Sequence, residues 1–202
     1  MTEVETFGCV KTSIRLRSGL YLDLADPQPD QFTFSDIAGA LSKLCRFGGQ
    51  INNFYSVAEH LVLCADIAAG DGLSRETQAA VLMHDAAEAF CGDVVRPLKV
   101  MLDDYRPVER RMQNVIGAKF GIDFDRHHDD IRKIDNEMVL AERWELFSKD
   151  SVVWQGEGDV RRLKIRPRCW AWDIAECMFV RRAMKAGLVT EFARCGMKGG
   201  AR

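Results

Sequence analysis

The sequence contains no apolar run that approaches the roughly 18 residues needed to cross a membrane. It also contains no apolar segment near its N-terminus, where residues 1–11 read MTEVETFGCVK and include two glutamates. A secretory signal peptide requires such a segment. Together these two absences predict a cytoplasmic protein without a membrane partner.

Close cysteine pairs are also missing. Structural zinc sites and disulfide frameworks use cysteines at short, regular spacings. None of the seven cysteines belongs to a C-x-x-C pair, which is typical of reduced, buried thiols and argues against a zinc–cysteine site. The seven residues are Cys9, Cys45, Cys64, Cys91, Cys169, Cys177 and Cys195.

An excess of positive charge is the third missing feature. The chain has 28 Lys and Arg residues against 30 Asp and Glu residues, so its formal net charge is −2. Because a nucleic-acid backbone is bound by a basic stripe, we expect no nucleic-acid polymer as a partner. The one basic run, VRRLKIRPR at 160–168, is interpreted as a solvated strand or loop, and a contact with an anionic substrate is the alternative.

The remaining composition is typical of a globular protein with a hydrophobic core, since 47% of the 202 residues are apolar and 29% are charged. We divide the chain into an N-terminal hairpin and loop (1–34), a main domain (35–190) and a tail (191–202). The tail, with its small and basic residues, is predicted to be disordered.

Turn and cap signals predict an all-α main domain of about six helices. Ser35 or Asp36 can begin the first helix and Ser56 the second, where the S-x-x-E spacing to Glu59 predicts a capping box. Further helices are expected from Ser74 to just before Gly92, over 107–120, from 129 or 130 to 147 and over 170–186. Alternating polarity over 12–24 predicts a β-hairpin with a two-residue turn at Ser18-Gly19.

Histidines and carboxylates that could meet in the folded chain are the candidates for chemistry. His84 and Asp85 are adjacent, His60 lies 24 residues before His84, and Asp135 lies 50 residues after Asp85. Imidazole and carboxylate groups are good ligands for divalent first-row metals. Asp135 is flanked by apolar residues, and a carboxylate that turns inward there needs a partner or an ion. The spacing of the four residues therefore favours one divalent-metal site.

Each of these residues alone has a simpler interpretation. A single histidine in an amphipathic helix is more often structural or solvated than a ligand, and an HD dipeptide also arises by chance. His127 and His128 have the chemistry of ligands, but they lie in the polar linker FDRHHDDI, which favours an exposed loop. The metal-site hypothesis therefore depends on the four residues taken together.

The H…HD…D pattern resembles that of the HD-domain phosphohydrolases, whose all-α helical bundle binds a divalent ion through two histidines and two aspartates. The resemblance covers roughly residues 35–147, and the SVAEH stretch is similar to the segment that carries the family's first ligand. It implies that His60, His84, Asp85 and Asp135 are the metal ligands. The ion stays open between manganese, cobalt, zinc, iron and magnesium.

The stretch HDAAEAFCGDVVRPLK resembles the HD-x-x-E-x-x-x-G-D-x-x-x-P-x-K segment of the branch that includes bacterial 5′-deoxynucleotidases. In that branch the Glu and the Asp act on the attacking water, which implies catalytic roles for Glu88 and Asp93. The resemblance also makes Lys99, Arg46 and Phe47 candidates for substrate binding, although Phe47 replaces the family's Trp and its spacing differs by about one residue. The alternative interpretation is two surface cations and a core phenylalanine.

The resemblance thus implies a phosphohydrolase that acts on a nucleotide through a metal-activated water. CRFGGQINNFYSVAEH is also similar to small HD proteins that include phage deoxyadenosine triphosphate triphosphohydrolases, so mono- and triphosphate substrates both stay open, as do the base and the sugar. A third option is a cyclic-nucleotide or (p)ppGpp hydrolase of the same superfamily, which is disfavoured because the (p)ppGpp enzymes usually carry adjacent acids and here Ala89 follows Glu88. The alternative function is a catalytically silent HD-fold module that binds a nucleotide or regulates a partner.

The last predicted helix carries large apolar side chains that could pair two copies of the chain. Met178, Phe179 and Met184 lie within it. We therefore consider a homodimer or a higher homo-oligomer as a hypothesis.

Overall fold

The computed structural model describes residues 11–148, 152, 154, 158 and 160–190. Within this part of the chain, a two-stranded antiparallel hairpin precedes eight helices. The predicted disordered tail at 191–202 and the cysteines Cys9 and Cys195 lie outside the described residues. The elements are β1 (Ser13–Arg15), β2 (Tyr21–Asp23), α1 (Phe34–Leu41), α2 (Val57–Gly70), α3 (Arg75–Leu82), α4 (Glu88–Cys91), α5 (Arg96–Met101), α6 (Tyr105–Phe120), α7 (His128–Leu146) and α8 (Trp172–Ala186).

The predicted hairpin is present, but its turn is longer by one residue. The Leu16 N–H donates to the Leu20 carbonyl at 2.8 Å, and the Gly19 N–H donates to the Leu16 carbonyl at 3.0 Å. Three residues therefore separate Leu16 and Leu20, the hydrogen-bonded pair that closes the turn. Gly19 has a φ of 93°, the left-handed conformation that a three-residue loop requires after its first tight turn. The hairpin packs on the helices through Leu16 and Leu22, which are both buried.

Local capping explains where α1 and α2 begin. As predicted, the Ser56 hydroxyl accepts a hydrogen bond from the Glu59 N–H at 3.1 Å. The predicted start of α1 at Ser35 or Asp36 was wrong, because Thr33 is the cap. Its hydroxyl accepts from the Asp36 N–H, and the Asp36 carboxylate accepts in return from the Thr33 N–H at 2.9 Å.

The predicted continuous helix from Ser74 to Gly92 was wrong, since residues 83–87 form turns between α3 and α4. The side chain of Gln113, on α6, lies across this break. Its amide oxygen accepts from the Ala87 N–H at 3.0 Å, and its NH2 donates to the Met83 carbonyl at 2.8 Å. A side chain distant in sequence therefore satisfies backbone groups that an unbroken helix would have satisfied itself.

The helix α2 lies at the centre of the fold and packs against α1, α3, α7 and α8. It is buried along most of its length, as expected for a helix that is apolar on several faces. Phe179 of α8 is fully buried in the same core, where its ring stacks on Phe34 with 5.7 Å between centroids. Phe179 is therefore a core residue of its own chain, and it adds nothing to an exposed face for a second copy.

Beyond these elements, Gly121 and Gly187 end α6 and α8 in the left-handed conformation. The helix α5 was not predicted. Residues 161–171 form neither helix nor strand, so the basic run lies in an irregular segment. Arg161 attaches this segment to the helices through ion pairs with Asp71 and Glu137, each at 2.8 Å.

Among the described helices, none has both the length and the hydropathy of a transmembrane span.

Candidate metal centre

Three parts of the fold bring the predicted ligands together. His60 lies in the first turn of α2, Asp135 lies on α7, and His84 and Asp85 lie in the turn that follows α3. The Asp135 Oδ1 atom is 3.3 Å from His60 Nε2 and 3.8 Å from His84 Nε2. The Asp85 Oδ2 atom is 3.3 Å from His84 Nε2 and 4.0 Å from His60 Nε2. Both imidazoles therefore direct the same nitrogen towards both carboxylates.

The tightest part of this cluster has three members. One ligand atom from each of His60, His84 and Asp135 lies within 4.8 Å of the other two, a separation at which the three can share one metal ion. Asp85 approaches both imidazoles but lies outside this innermost group. The structure thus provides a three-residue site for a metal, with a second carboxylate beside it.

The position of His84 is determined by its local turn. Its Nδ1 atom is 2.7 Å from the Val81 carbonyl oxygen, which can only accept a hydrogen bond, so Nδ1 carries the hydrogen. Its Nε2 atom is buried and has no hydrogen-bond partner among the described residues. A buried, unpartnered nitrogen is unfavourable by itself, and a metal ion at the cluster would satisfy it.

His60 has an analogous arrangement with a different acceptor. Its Nδ1 atom is 2.6 Å from the Glu142 Oε1 atom, and both side chains are fully buried. The pKa of Glu142 would be raised by burial, but the charges of Arg46 and His60 hold it below its ordinary value. The carboxylate is therefore ionised, and the His60 Nε2 atom is left to face the cluster.

Exposure differs between the two kinds of ligand. The side chains of His60 and His84 are 0% and 8% exposed, whereas those of Asp85 and Asp135 are 26% and 36% exposed. The cluster is therefore closed on the imidazole side and open on the carboxylate side. A catalytic metal site needs such an opening, because water and substrate must reach the ion.

The electrostatics of the cluster favour a cation. Burial lowers the pKa of both imidazoles, but the acidic groups around them outweigh this effect and raise both pKa values well above the ordinary value. Burial raises the pKa of Asp85, but the charge and hydrogen bond of His84 together with the charge of His60 outweigh it and lower the pKa to about 2. In the metal-free protein the imidazoles therefore hold protons, and a metal ion must displace them to bind.

Glu88 and Asp93, the predicted catalytic acids, lie close enough to the cluster to interact with its charges. Burial and the neighbouring charges of Asp85 and Asp93 raise the pKa of Glu88 to about 9. Burial is also the main cause that raises the pKa of Asp93. Glu88 is the first residue of α4 and is buried, and its Oε2 atom has no hydrogen-bond partner within the described part of the chain.

Lys99, a predicted substrate-binding residue, is paired with protein carboxylates in this structure. Its Nζ atom lies 3.1 Å from Glu88 Oε1 and 2.7 Å from Glu109 Oε1. The Tyr105 ring is 5.3 Å from the same amine. The structure thus places Lys99 beside the predicted acid Glu88, and its contact with a substrate stays a prediction.

Arg46 and Phe47, the other predicted substrate residues, lie in a short 3-10 turn (Arg46–Gly49) between α1 and α2. The Arg46 Nη2 atom is 3.2 Å from Glu142 Oε2, and its Nη1 atom is 3.8 Å from Asp85 Oδ2. The guanidinium is therefore buried beside the cluster. Phe47 has a φ of 57°, unusual for a residue other than glycine, and its ring packs edge-on against Phe147 at 5.1 Å.

Glu142 and Tyr55 belong to the site but were not identified from the sequence. The Tyr55 hydroxyl donates to Glu142 Oε1 at 2.8 Å, so both residues support His60. One signal was available, since Glu142 follows Asp135 by seven residues and therefore lies two turns further on the same helix face. No comparable signal exists for Tyr55.

Two other predictions around the site need correction. Glu59 does not reach back to its own helix cap. Its carboxylate accepts instead from the backbone N–H groups of Cys169 at 3.1 Å and Trp170 at 2.7 Å, and so attaches the irregular segment to α2. His127 lies in the turn before α7 but is half-buried, and His128 is the first residue of α7 but is exposed as predicted; neither belongs to the candidate metal group.

Fold and site together define a mostly helical protein with a candidate metal centre. A comparison with models of protein families finds no match. The chain is 36% identical over 141 residues to the uncharacterized protein YfdR of Escherichia coli (strain K12), which covers 70% of this chain and 76% of YfdR. It therefore belongs to the family that includes YfdR. An uncharacterized protein of Rhodobacter capsulatus is 34% identical over 113 residues, which correspond to 54% of this chain and 58% of that protein.

Proposed function

We propose that this protein is a divalent-metal-dependent phosphohydrolase that acts on a nucleotide. The observation that carries the proposal is the convergence of the His60 and His84 Nε2 atoms on the Asp135 carboxylate, with the His84 nitrogen buried and unpartnered among the described residues. We include Asp85 as the fourth ligand because its Oδ2 atom lies 3.3 Å from His84 Nε2. A bound divalent ion would lower the pKa of its water to about 7 and polarise a phosphoryl oxygen.

Glu88 suits the handling of protons in such a reaction. With its pKa raised to about 9, the buried carboxyl is protonated at neutral pH in the metal-free protein. The charge of a divalent ion nearby would lower this pKa again, towards the range in which a group can both accept and release a proton. We assign Glu88 and Asp93 to the attacking water and the leaving group.

Arg46 supports an anionic substrate. Its Nε atom is buried and has no hydrogen-bond partner among the residues described, so one donor of the guanidinium stays unused. A phosphoryl oxygen is a suitable acceptor for it. Phe47 is the next residue after Arg46 and has a left-handed backbone conformation. It is our candidate for contact with the base or the sugar.

The test is a hydrolysis screen over ribo- and deoxyribonucleoside mono- and triphosphates, with each of the five metals supplied in turn. Release of phosphate identifies a nucleotidase, and release of triphosphate identifies a triphosphohydrolase. We expect His84→Ala to lower the rate about a hundredfold or more, because a metal contributes several kcal/mol to transition-state stabilisation. His128→Ala is the matched control, since its side chain is 63% exposed and lies away from the cluster.

Two outcomes would contradict the proposal. Turnover by His84→Ala at the rate of the unmodified protein would exclude the cluster as the catalytic site. Tight binding of nucleotides without turnover, across all five metals, would favour the alternative of a binding or regulatory module.

A further inference from the structure

Glu142 connects three separate parts of the fold at the back of the candidate metal centre. Its side chain is fully buried on α7. Its Oε1 atom is 2.6 Å from His60 Nδ1 and accepts from the Tyr55 hydroxyl at 2.8 Å, and its Oε2 atom accepts from the Arg46 Nη2 group at 3.2 Å. A buried carboxylate is unfavourable unless it is paired, and here both oxygen atoms are paired.

We propose that Glu142 is a positioning residue, which holds His60 in the tautomer and orientation needed to bind the metal. This inference rests on the proposed metal site. The Glu142 carboxylate accepts from Tyr55 and Arg46, so the His60 Nδ1 atom carries the hydrogen of its contact with Glu142, and Nε2 is the ring nitrogen left for a metal once its proton is displaced. That nitrogen faces Asp135, whose Oδ1 atom is 3.3 Å away.

The influence of Glu142 also extends towards a second ligand. The guanidinium of Arg46 lies between two carboxylates, with Nη2 at 3.2 Å from Glu142 and Nη1 at 3.8 Å from Asp85. Its positive charge reduces the repulsion between them. His84 is held differently, by the neutral carbonyl of Val81. Loss of the Glu142 charge should therefore affect the His60 and Asp85 side of the site and leave His84 in place.

The helix α7 makes this arrangement rigid. Asp135 and Glu142 are seven residues apart, about two turns, so one face of the helix carries both a candidate ligand and the group that orients another ligand. Residues that orient metal ligands in this way usually change the metal affinity about 10–100-fold when they are substituted.

The first experiment measures Co²⁺ binding by titration and by the visible absorption spectrum of the bound ion. For Glu142→Gln we expect Co²⁺ affinity to fall about 10–100-fold and the spectrum to change, while the helical circular dichroism is retained. The matched control is Glu137→Gln. Glu137 lies on the same helix, is also buried and is also paired with an arginine, Arg161, but it does not touch the cluster. Its substitution should leave the Co²⁺ affinity unchanged.

A second measurement does not depend on the folding of a variant. In the unmodified protein labelled with ¹⁵N-histidine and loaded with Zn²⁺, NMR reports which ring nitrogen carries the hydrogen. We expect both metal-bound imidazoles to be protonated on Nδ1 and bound to Zn²⁺ through Nε2. Binding of Zn²⁺ by His60 through Nδ1 would overturn the inference.

The outcomes separate this inference from the proposed function. If the unmodified protein binds Co²⁺ and Glu142→Gln binds it equally well with the same spectrum, the role of Glu142 is wrong and the proposed function stands. If Glu142→Gln weakens Co²⁺ binding but no nucleotide is hydrolysed, the inference stands and the proposed function is wrong. If the unmodified protein binds neither metal at the cluster, both are wrong.

Discussion

Glu88 offers a sharp test of the electrostatics of the site, because its burial should cost stability as well as serve catalysis. Burial and the charges of Asp85 and Asp93 raise its pKa from 4.5 to about 9. At pH 7 the folded protein therefore keeps a proton that the unfolded chain has released. Glutamine has no charge in either state, so Glu88→Gln should stabilise the metal-free protein and abolish the proposed hydrolysis.

The expected gain follows from proton linkage. When a carboxyl has a higher pKa in the folded protein than in the unfolded chain, the free energy of unfolding falls as the pH rises between these two pKa values. The decrease is about 1.4 kcal/mol per pH unit. Between pH 4.5 and pH 7 this amounts to about 3 kcal/mol for Glu88. Replacing the carboxyl also weakens the hydrogen bond from Lys99, a loss of about 1 kcal/mol. The net gain is therefore about 2 kcal/mol at pH 7 and close to zero at pH 5.

The assay is urea denaturation of both proteins in EDTA, at intervals from pH 5 to pH 8. Glu109→Gln is the matched control. It removes the other carboxylate partner of Lys99, but Glu109 is more exposed than Glu88. We expect Glu109→Gln to cost less than about 1 kcal/mol. Added divalent metal should reduce the advantage of Glu88→Gln, because the positive charge of the ion favours the ionised carboxylate.

The reasoning about Glu88 would be refuted by a stability difference that does not change between pH 5 and pH 8. It would also be refuted if Glu88→Gln were less stable than Glu109→Gln at pH 8. Either result would mean that the carboxyl is ionised in the folded protein and that its contacts compensate for its burial.

Two further predictions concern the fold and the site. Asp36→Asn should lower the free energy of unfolding by about 2 kcal/mol at pH 7, because the carboxylate accepts from the Ser18 and Thr33 N–H groups and one amide oxygen cannot replace both acceptors. Burial raises the pKa of Asp36, but the hydrogen bonds from Thr33 and Ser18 outweigh it and lower the pKa below 3.8. The destabilisation by Asp36→Asn should therefore be present above pH 3.8 and disappear as the pH falls through the folded pKa. Divalent metal at 100 times its dissociation constant should stabilise the protein by about 2.7 kcal/mol, measured as a rise in Tm.

Matched variants control both measurements. Asp103→Asn changes an exposed aspartate and should leave stability within about 0.5 kcal/mol of the unmodified protein. An equal loss for both variants would show that Asp36 makes no special contribution. His128→Ala should keep the metal-induced rise in Tm, and His84→Ala should lose it. A rise that persists in His84→Ala would place the bound metal elsewhere.

Helix ends that depend on near neighbours were predictable from the sequence. Ser56 caps α2 as expected, because its hydroxyl accepts from an N–H group within one turn. The prediction for Glu59 failed because a distant segment competes with the local signal. Glu59 has the right spacing for a capping box, but its carboxylate accepts from the Cys169 and Trp170 N–H groups more than a hundred residues away.

The candidate site shows the same difference between local features, which the sequence predicts, and distant contacts, which it does not. Ligand chemistry belongs to the side chains themselves, so His60, His84, Asp85 and Asp135 could be nominated from their types and spacing. Their orientation could not be predicted. The break after α3 that carries His84 is bridged by a side chain of α6, and the acceptor that orients His60 lies 82 residues away on α7.

The sequence by itself determined the residue types, most of the helices and their caps, because these depend on interactions within one or two turns. The tertiary structure decided which nitrogen of each histidine faces the cluster, which carboxylates are buried and how far their pKa values move. Those properties depend on charge, burial and hydrogen bonds between segments that only the folded chain brings together. The raised pKa of Glu88 is one such property, since it arises from burial and from the charges of Asp85 and Asp93.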